Sequence, residues 1–192
     1  MNIGITGYEG YPDKRGIAGT LKKLHPEDVH LIDPCSDVIS TVLEFNFDVF
    51  INNHYGWDDG SHQVEMLNSL WKEWKTKEKT IVCISATSPD YQMLHDDIEG
   101  AELYDYNVYK SALDYACKQI QCLPREKLGH KCRVINIKPG WIDTPMNESA
   151  NYYKGHKMKP EYIAGVIMWA IKQPEYVKTL TIQDDYLNAH SK

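Results

Sequence analysis

Six short runs rich in β-branched and apolar residues punctuate the chain, at residues 2–6, 29–32, 48–52, 80–85, 132–137 and 177–182. Segments with helical spacing lie between them, and this alternation restricts the fold more than any other feature. Strands that alternate with helices build α/β folds with a parallel sheet, because each crossover returns the chain to start the next strand in the same direction. Helices are expected from a first Gly-rich turn to about residue 24, and over 37–45, 61–75, 106–123 and 160–171. In 61–75, Val64, Leu67, Leu70, Trp71 and Trp74 share one broad face, and in 106–123 Leu113, Ala116, Cys117, Ile120 and Leu123 recur at helical spacing. The segment 160–171 begins at Pro160, a favourable first helical residue. The expectation is one α/β domain over residues 1–192, with a parallel sheet of about six strands.

A chain of 192 residues is long enough for one sizeable core. The net charge of −6, with no basic stripe, argues against nucleic acid as a partner. No apolar run approaches the ~20 residues of a membrane span. Met1-Asn2-Ile3 leads directly into a strand, so no signal peptide is expected. The five cysteines, Cys35, Cys83, Cys117, Cys122 and Cys132, show no metal-ligand spacing and are expected as reduced, mostly buried thiols. These features point to a cytoplasmic protein without a metal site.

Two stretches carry chemistry. The first is Tyr106-Asn107-Val108-Tyr109-Lys110, expected to open the fourth helix. Tyr106 and Lys110 are four apart, on one face, with roughly 5–6 Å between their Cβ atoms. A unit charge at about 4 Å is worth roughly 4 kcal/mol at an effective dielectric near 20. At about 1.4 kcal/mol per pKa unit, such an ammonium draws a phenol from about 10 towards neutrality. A phenol so tuned passes a proton to or from a substrate oxygen. Alone, such a pair in a chain with 13 tyrosines is an ordinary solvated helix face. The second stretch is Pro139-Gly140-Trp141-Ile142-Asp143-Thr144-Pro145.

Their setting gives the pair its meaning. The first strand runs into a turn containing Gly7, Gly10, Arg15, Gly16 and Ile17, and then a helix. Glycines let backbone approach a pyrophosphate, and a helix N-terminus faces the anion. Asn52-Asn53 ends an inner strand, Ser85 ends the next, and Pro139-Gly140 ends the one after. In this order the series resembles the short-chain dehydrogenase/reductase family over nearly the whole chain, most specifically in residues 133–146. The resemblance implies a doubly wound Rossmann-type sheet and NAD(P)-dependent interconversion of a carbonyl and an alcohol on a small molecule. It implies that Tyr106 donates or accepts the proton and that Lys110 lowers its pKa and binds the nicotinamide ribose. Ser85 or Thr87 would hold the substrate oxygen. Asn52 and Asn53 would steady the sheet and border the adenosine. Pro139 and Gly140 would turn the chain across the nicotinamide, with Ile142 backbone and the Thr144 hydroxyl contacting cofactor. A homodimer or homotetramer is the usual assembly.

NAD and NADP remain equal alternatives. Asp33, after the second strand, suits the ribose hydroxyls of NAD, or simply caps the turn into Pro34. Lys14-Arg15 resembles the basic residues of NADP-preferring members. The sequence also departs from the family pattern. The first turn carries an insertion around residues 11–14. The short span 35–47 has room for one helix, so a strand–helix unit at one sheet edge is missing. His54 and Tyr55 replace small residues after Asn52-Asn53, and Ala86 stands where a second serine is usual. Asn68 is a weak candidate for the family's helix asparagine. Tyr91, Met93, Leu94 and His95 either line a substrate pocket or cover the sheet edge. Tyr152, Tyr153 and His156 lie in a candidate substrate loop. Residues 124–131 read as a polar connection. Two other functions stay open: a nucleotide-binding or regulatory protein with weak catalysis, and an NAD-dependent sugar epimerase or dehydratase that retains its cofactor.

Overall fold

The computed structural model describes residues 1–7, 16–34, 37–56, 60–90, 101–145 and 156–183. Strands β1 (Ile3–Thr6), β2 (Val29–Ile32), β3 (Val49–Asn52), β4 (Thr80–Ile84), β5 (Arg133–Pro139) and β6 (Thr179–Ile182) form one sheet in the order β2-β1-β3-β4-β5-β6. Every neighbouring pair is parallel. The helices are α1 (Ile17–Leu24), α2 (Val38–Glu44), α3 (His62–Trp74), α4 (Ala101–Gln121), α5 (Arg125–Leu128) and α6 (Pro160–Lys172).

A parallel sheet covered on both faces needs buried strands, and β1, β3 and β4 are buried throughout, whereas the edge strands β2 and β6 are partly exposed. Ile3, Ile5, Val49, Ile51, Val82, Ile84, Ile135 and Ile137 point to one face, where Ile17 and Leu21 of α1 and Ile163, Ile167 and Ile171 of α6 close a core. Phe50, Ile81, Cys83 and Val134 point to the other, against Val42 of α2, Leu67, Leu70 and Trp74 of α3, and Leu113, Cys117 and Ile120 of α4. From β1 the chain goes outward to β2, then returns to place β3 on the opposite side of β1. That reversal makes the C-terminal ends of β1 and β3 the crevice where ligands bind in open α/β sheets.

The expected loss of an edge unit agrees with this topology. One short helix, α2, carries the chain from β2 to β3, and among the described residues no strand pairs with the outer edge of β2. Asp37 caps α2 by accepting from Ser40 N at 3.1 Å, so the helix starts after Asp37 and Pro34 lies outside it. Two expectations need correction. Helix α4 begins at Ala101, so Tyr106 lies in its second turn and does not open it. Residues 125–128, expected as plain connection, form the short helix α5. Gly129, at φ +64°, terminates it in the left-handed conformation that glycine adopts without steric cost. The four described cysteines are free thiols, three of them buried and Cys122 exposed, and Cys35 lies outside the described residues. Among the described residues no helix is long and apolar enough to cross a membrane, and no cluster of His, Cys, Asp or Glu could hold a metal ion.

Candidate active site

The crevice begins where β1 meets α1. A Cβ on Gly7 would stand 2.4 Å from the Cβ of Ala18, so only glycine lets the first turn of α1 approach the end of β1 this closely. Gly16 is the N-cap of α1 and brings no side-chain cap, and a Cβ built on it would meet nothing within 4 Å among the described residues. Gly16 thus leaves the first amides of α1 without a side-chain cap, as an anion site at a helix N-terminus allows. Ile17 does not line this space, being buried in the core. Gly10 and Arg15 lie outside the described residues. Asp33 is exposed just beyond β2.

Asn52 and Asn53 act first as structural ties. Asn53 Nδ2 donates to Thr6 O at 3.0 Å, and the Thr6 hydroxyl accepts from the amides of Asn53 and His54, each at 3.0 Å. Asn52 is fully buried, and its Nδ2 donates to Gln63 O at 2.7 Å. These bonds join the ends of β1 and β3 to the start of α3, where the crevice opens.

Tyr106 and Lys110 share a face of α4, as their spacing predicts, but their electrostatics run against the expectation. Lys110 is 3% exposed, and its Nζ donates to Gln63 Oε1 at 2.7 Å and to Ile84 O at 2.9 Å. The ammonium lies 5.4 Å from the ring centroid of Tyr106 and 5.4 Å from that of Tyr55. The two rings meet edge to face at 4.8 Å. Burial pushes the Tyr106 phenol well above its ordinary pKa, and Tyr55 and Asp114 push it further. Burial likewise pushes Lys110 down to about 7, with Cys83 and Asp114 opposing. The shift of Tyr106 thus runs opposite to the acidification expected from Lys110: burial is the largest cause for both groups, and it favours the neutral form of each.

The hydroxyls after β4 separate. Ser85 is buried, and its Oγ donates to Lys110 O at 3.4 Å, towards the backbone of α4. Thr87 is also buried, and its Oγ1 would lie 3.6 Å from a Cβ on Gly140. Its amide donates to Pro139 O at 3.0 Å, which ties the end of β4 to the end of β5. Ser88 Oγ donates to Asn107 Oδ1 at 2.6 Å. Lys138 Nζ bridges Asp90 Oδ2 at 2.8 Å and Asp114 Oδ2 at 2.6 Å. Together these fix the short turn Ser88–Asp90 against α4. Gly140 N donates to Ile182 O at 2.7 Å, and Ile142 pairs with Met158 in an isolated parallel bridge. Thr144 follows at the rim, half-buried.

Two residues of the cluster escape the motif reading. Gln63 contacts Lys110, whereas Asn68 is exposed on α3. The available signal was a polar amide in phase with Met66, Leu67, Leu70 and Trp74, the buried stripe of α3. Tyr55 packs on both members of the pair, and its signal was a bulky ring directly after Asn52-Asn53-His54. Tyr91, Met93, Leu94, His95, Tyr152 and Tyr153 lie outside the described residues.

No protein-family model matches the chain. An uncharacterised oxidoreductase of Staphylococcus epidermidis is 33% identical over 81 residues, 42% of this chain and 35% of that protein. The match thus spans about a third of the length of that curated relative. A 3-ketoacyl-(acyl-carrier-protein) reductase from Brucella melitensis, complexed with NADH, superposes with a TM-score of 0.65 at 15% identity, covering 95% of this chain and 96% of that one. A short-chain dehydrogenase from Burkholderia cenocepacia, in complex with NADP, gives 0.64 at 11% identity, covering 98% and 90%.

Proposed function

We propose that this chain, whose fold is that of the short-chain dehydrogenases/reductases, acts as an NAD(P)-dependent oxidoreductase on a small carbonyl or alcohol. The observation that carries the reading is the buried Lys110 beside Tyr106, at the C-terminal end of the sheet where the strand order reverses. The N-terminus of α1, without a side-chain cap and brought against β1 by Gly7, fits a dinucleotide pyrophosphate. Gly16 and the amides that follow it would hold the phosphates, with Gly10 in the same turn and Ile17 setting the helix in the core. Asp33 or Arg15 would read the adenosine ribose, which decides NAD against NADP. Asn52 and Asn53 would border it, and Pro139, Gly140, Ile142 and Thr144 would flank the nicotinamide. The nicotinamide, when bound, supplies or takes up the hydride.

The chain's own residues handle the proton. A phenol kept protonated at neutral pH is a donor, so Tyr106 suits protonation of a carbonyl oxygen and the alcohol-forming direction. Two of the three N–H groups of Lys110 are engaged within the protein, leaving one for a ribose hydroxyl. Ser85 and Thr87 are the candidate holders of the substrate oxygen, and the position of Thr87 beside Gly140 favours it. Self-association as a homodimer or homotetramer draws support from the outer face of α4, where Tyr104 is 62% and Tyr115 66% exposed.

A second reading, a nucleotide-binding protein without turnover, is favoured by the ring of Tyr55 lying against both Tyr106 and Lys110. Calorimetric titration with NAD, NADH, NADP and NADPH, followed by a panel of aldehydes and ketones, tests both. Binding with turnover supports the oxidoreductase. Binding without turnover on any substrate, unchanged by Tyr55→Ala, supports the second reading. The absence of binding to all four removes the basis of both.

A further inference from the structure

We propose that Gln63 is a positioning residue for Lys110, a neutral acceptor that fixes the ammonium beside the paired rings of Tyr55 and Tyr106. Gln63 is 2% exposed and stands in the apolar stripe of α3, where a polar side chain is costly unless every hydrogen bond is made. Each is made. Oε1 accepts from Lys110 Nζ at 2.7 Å, and Nε2 donates to Asn52 O at 2.9 Å and to Ile84 O at 3.3 Å. The orientation of the amide admits one assignment, because an ammonium only donates and the two carbonyls only accept. Gln63 thereby joins the ends of β3 and β4 to the reactive face of α4.

The groups around Lys110 explain why a neutral partner matters. Tyr55 and His54 approach from the segment after β3, Cys83 from β4, and Tyr106 and Asp114 from α4 itself. Among the described residues none forms an ion pair with Lys110. The hydrogen bonds that hold its charged form come to Gln63 Oε1 and Ile84 O, with Asp114 and Cys83 favouring that form electrostatically. A carboxylate in place of Gln63 would lock the charge on. An amide holds the position and leaves the ammonium free to titrate near neutrality.

The role of Lys110 in binding cofactor rests on the proposed function, so the test reads Lys110 directly. Lysine labelled with 13C at Cε is followed by NMR against pH in the whole chain, with Lys110→Met assigning the signal. Gln63→Glu is expected to raise the Lys110 midpoint by about one to three units, as an opposite charge at this distance does. Gln63→Met, similar in length but lacking the acceptor, is expected to reduce the ring-current shift that the flanking tyrosines impose on the ε-methylene. A merely structural Gln63 would lower the melting temperature and move neither signal. Wild-type midpoint and shift in both variants overturn the proposal. If the signals move as expected while no dinucleotide binds, the positioning role stands and the oxidoreductase reading falls.

Discussion

At the scale of single residues, the site turns on a half-buried phenol and a buried ammonium whose pKa values move apart. With Tyr106 held protonated, Tyr106→Phe removes only a hydroxyl and leaves α4 intact. Dinucleotide affinity by calorimetry is expected to stay within about twofold, while turnover falls by roughly 10²–10⁴, the loss typical of a general acid. Turnover at the wild-type rate would reduce the pair to a helix face. Lys110 makes a separate prediction about stability. Its folded pKa is depressed to about 7, whereas an unfolded lysine titrates near about 10.4. Between those values the unfolded chain binds more protons, so stability rises with pH across the window. Urea melts should show wild type gaining on Lys110→Met from about pH 7 to pH 10, and a gap independent of pH would refute the burial of the ammonium.

Elements meet at the site through a few close approaches. The contact of α1 with β1 has no room for a methyl on Gly7, because it would lie 2.4 Å from Ala18 Cβ. Gly7→Ala must displace α1, at a cost of about 1–3 kcal/mol for overpacking. Since the same shift moves the amides expected to meet the pyrophosphate, dinucleotide affinity should fall more than in a surface variant of equal stability. Affinity unchanged despite a lower melting temperature would place the phosphate elsewhere. On the other face, Gly60 plays the same part for α3 and α4. A Cβ there would lie 2.1 Å from Tyr109 Cδ2, so the ring of Tyr109 occupies the space glycine leaves. Lys138 joins strand, turn and helix. Burial alone would lower its pKa, yet the hydrogen bonds it donates to Asp114 and Asp90 outweigh this and raise it.

The whole molecule is one parallel sheet between two apolar layers, α1 and α6 on one side and α2, α3 and α4 on the other. Loss of the edge unit leaves β2 as a border strand, and α2 packs against α3 on the second layer. Trp74, 2% exposed at the end of α3, belongs to the largest fully buried side chains of the second layer. Trp74→Ala should cost about 3–5 kcal/mol, read as a lower urea midpoint at unchanged slope. A cost near zero would mean that the second layer does not close over the sheet as described.

The sequence by itself determined the strands, the helices between them and the parallel direction, because apolar period and β-branching are local properties. Gly7 at the first turn, and Tyr106 and Lys110 on one helix face, were legible for the same reason: spacing fixes them. Where α4 begins was not legible, since the residues before Tyr106 are rich in Asp and Glu and carry no clear cap. Tertiary structure alone decided which way Lys110 points and what it meets. Gln63 lies 47 positions away on another helix, and Tyr55 comes from the end of a third element. It also decided the sign of the Tyr106 shift. Sequence spacing supplies the attraction between two neighbours, but desolvation depends on everything packed around them, and here it is the larger effect.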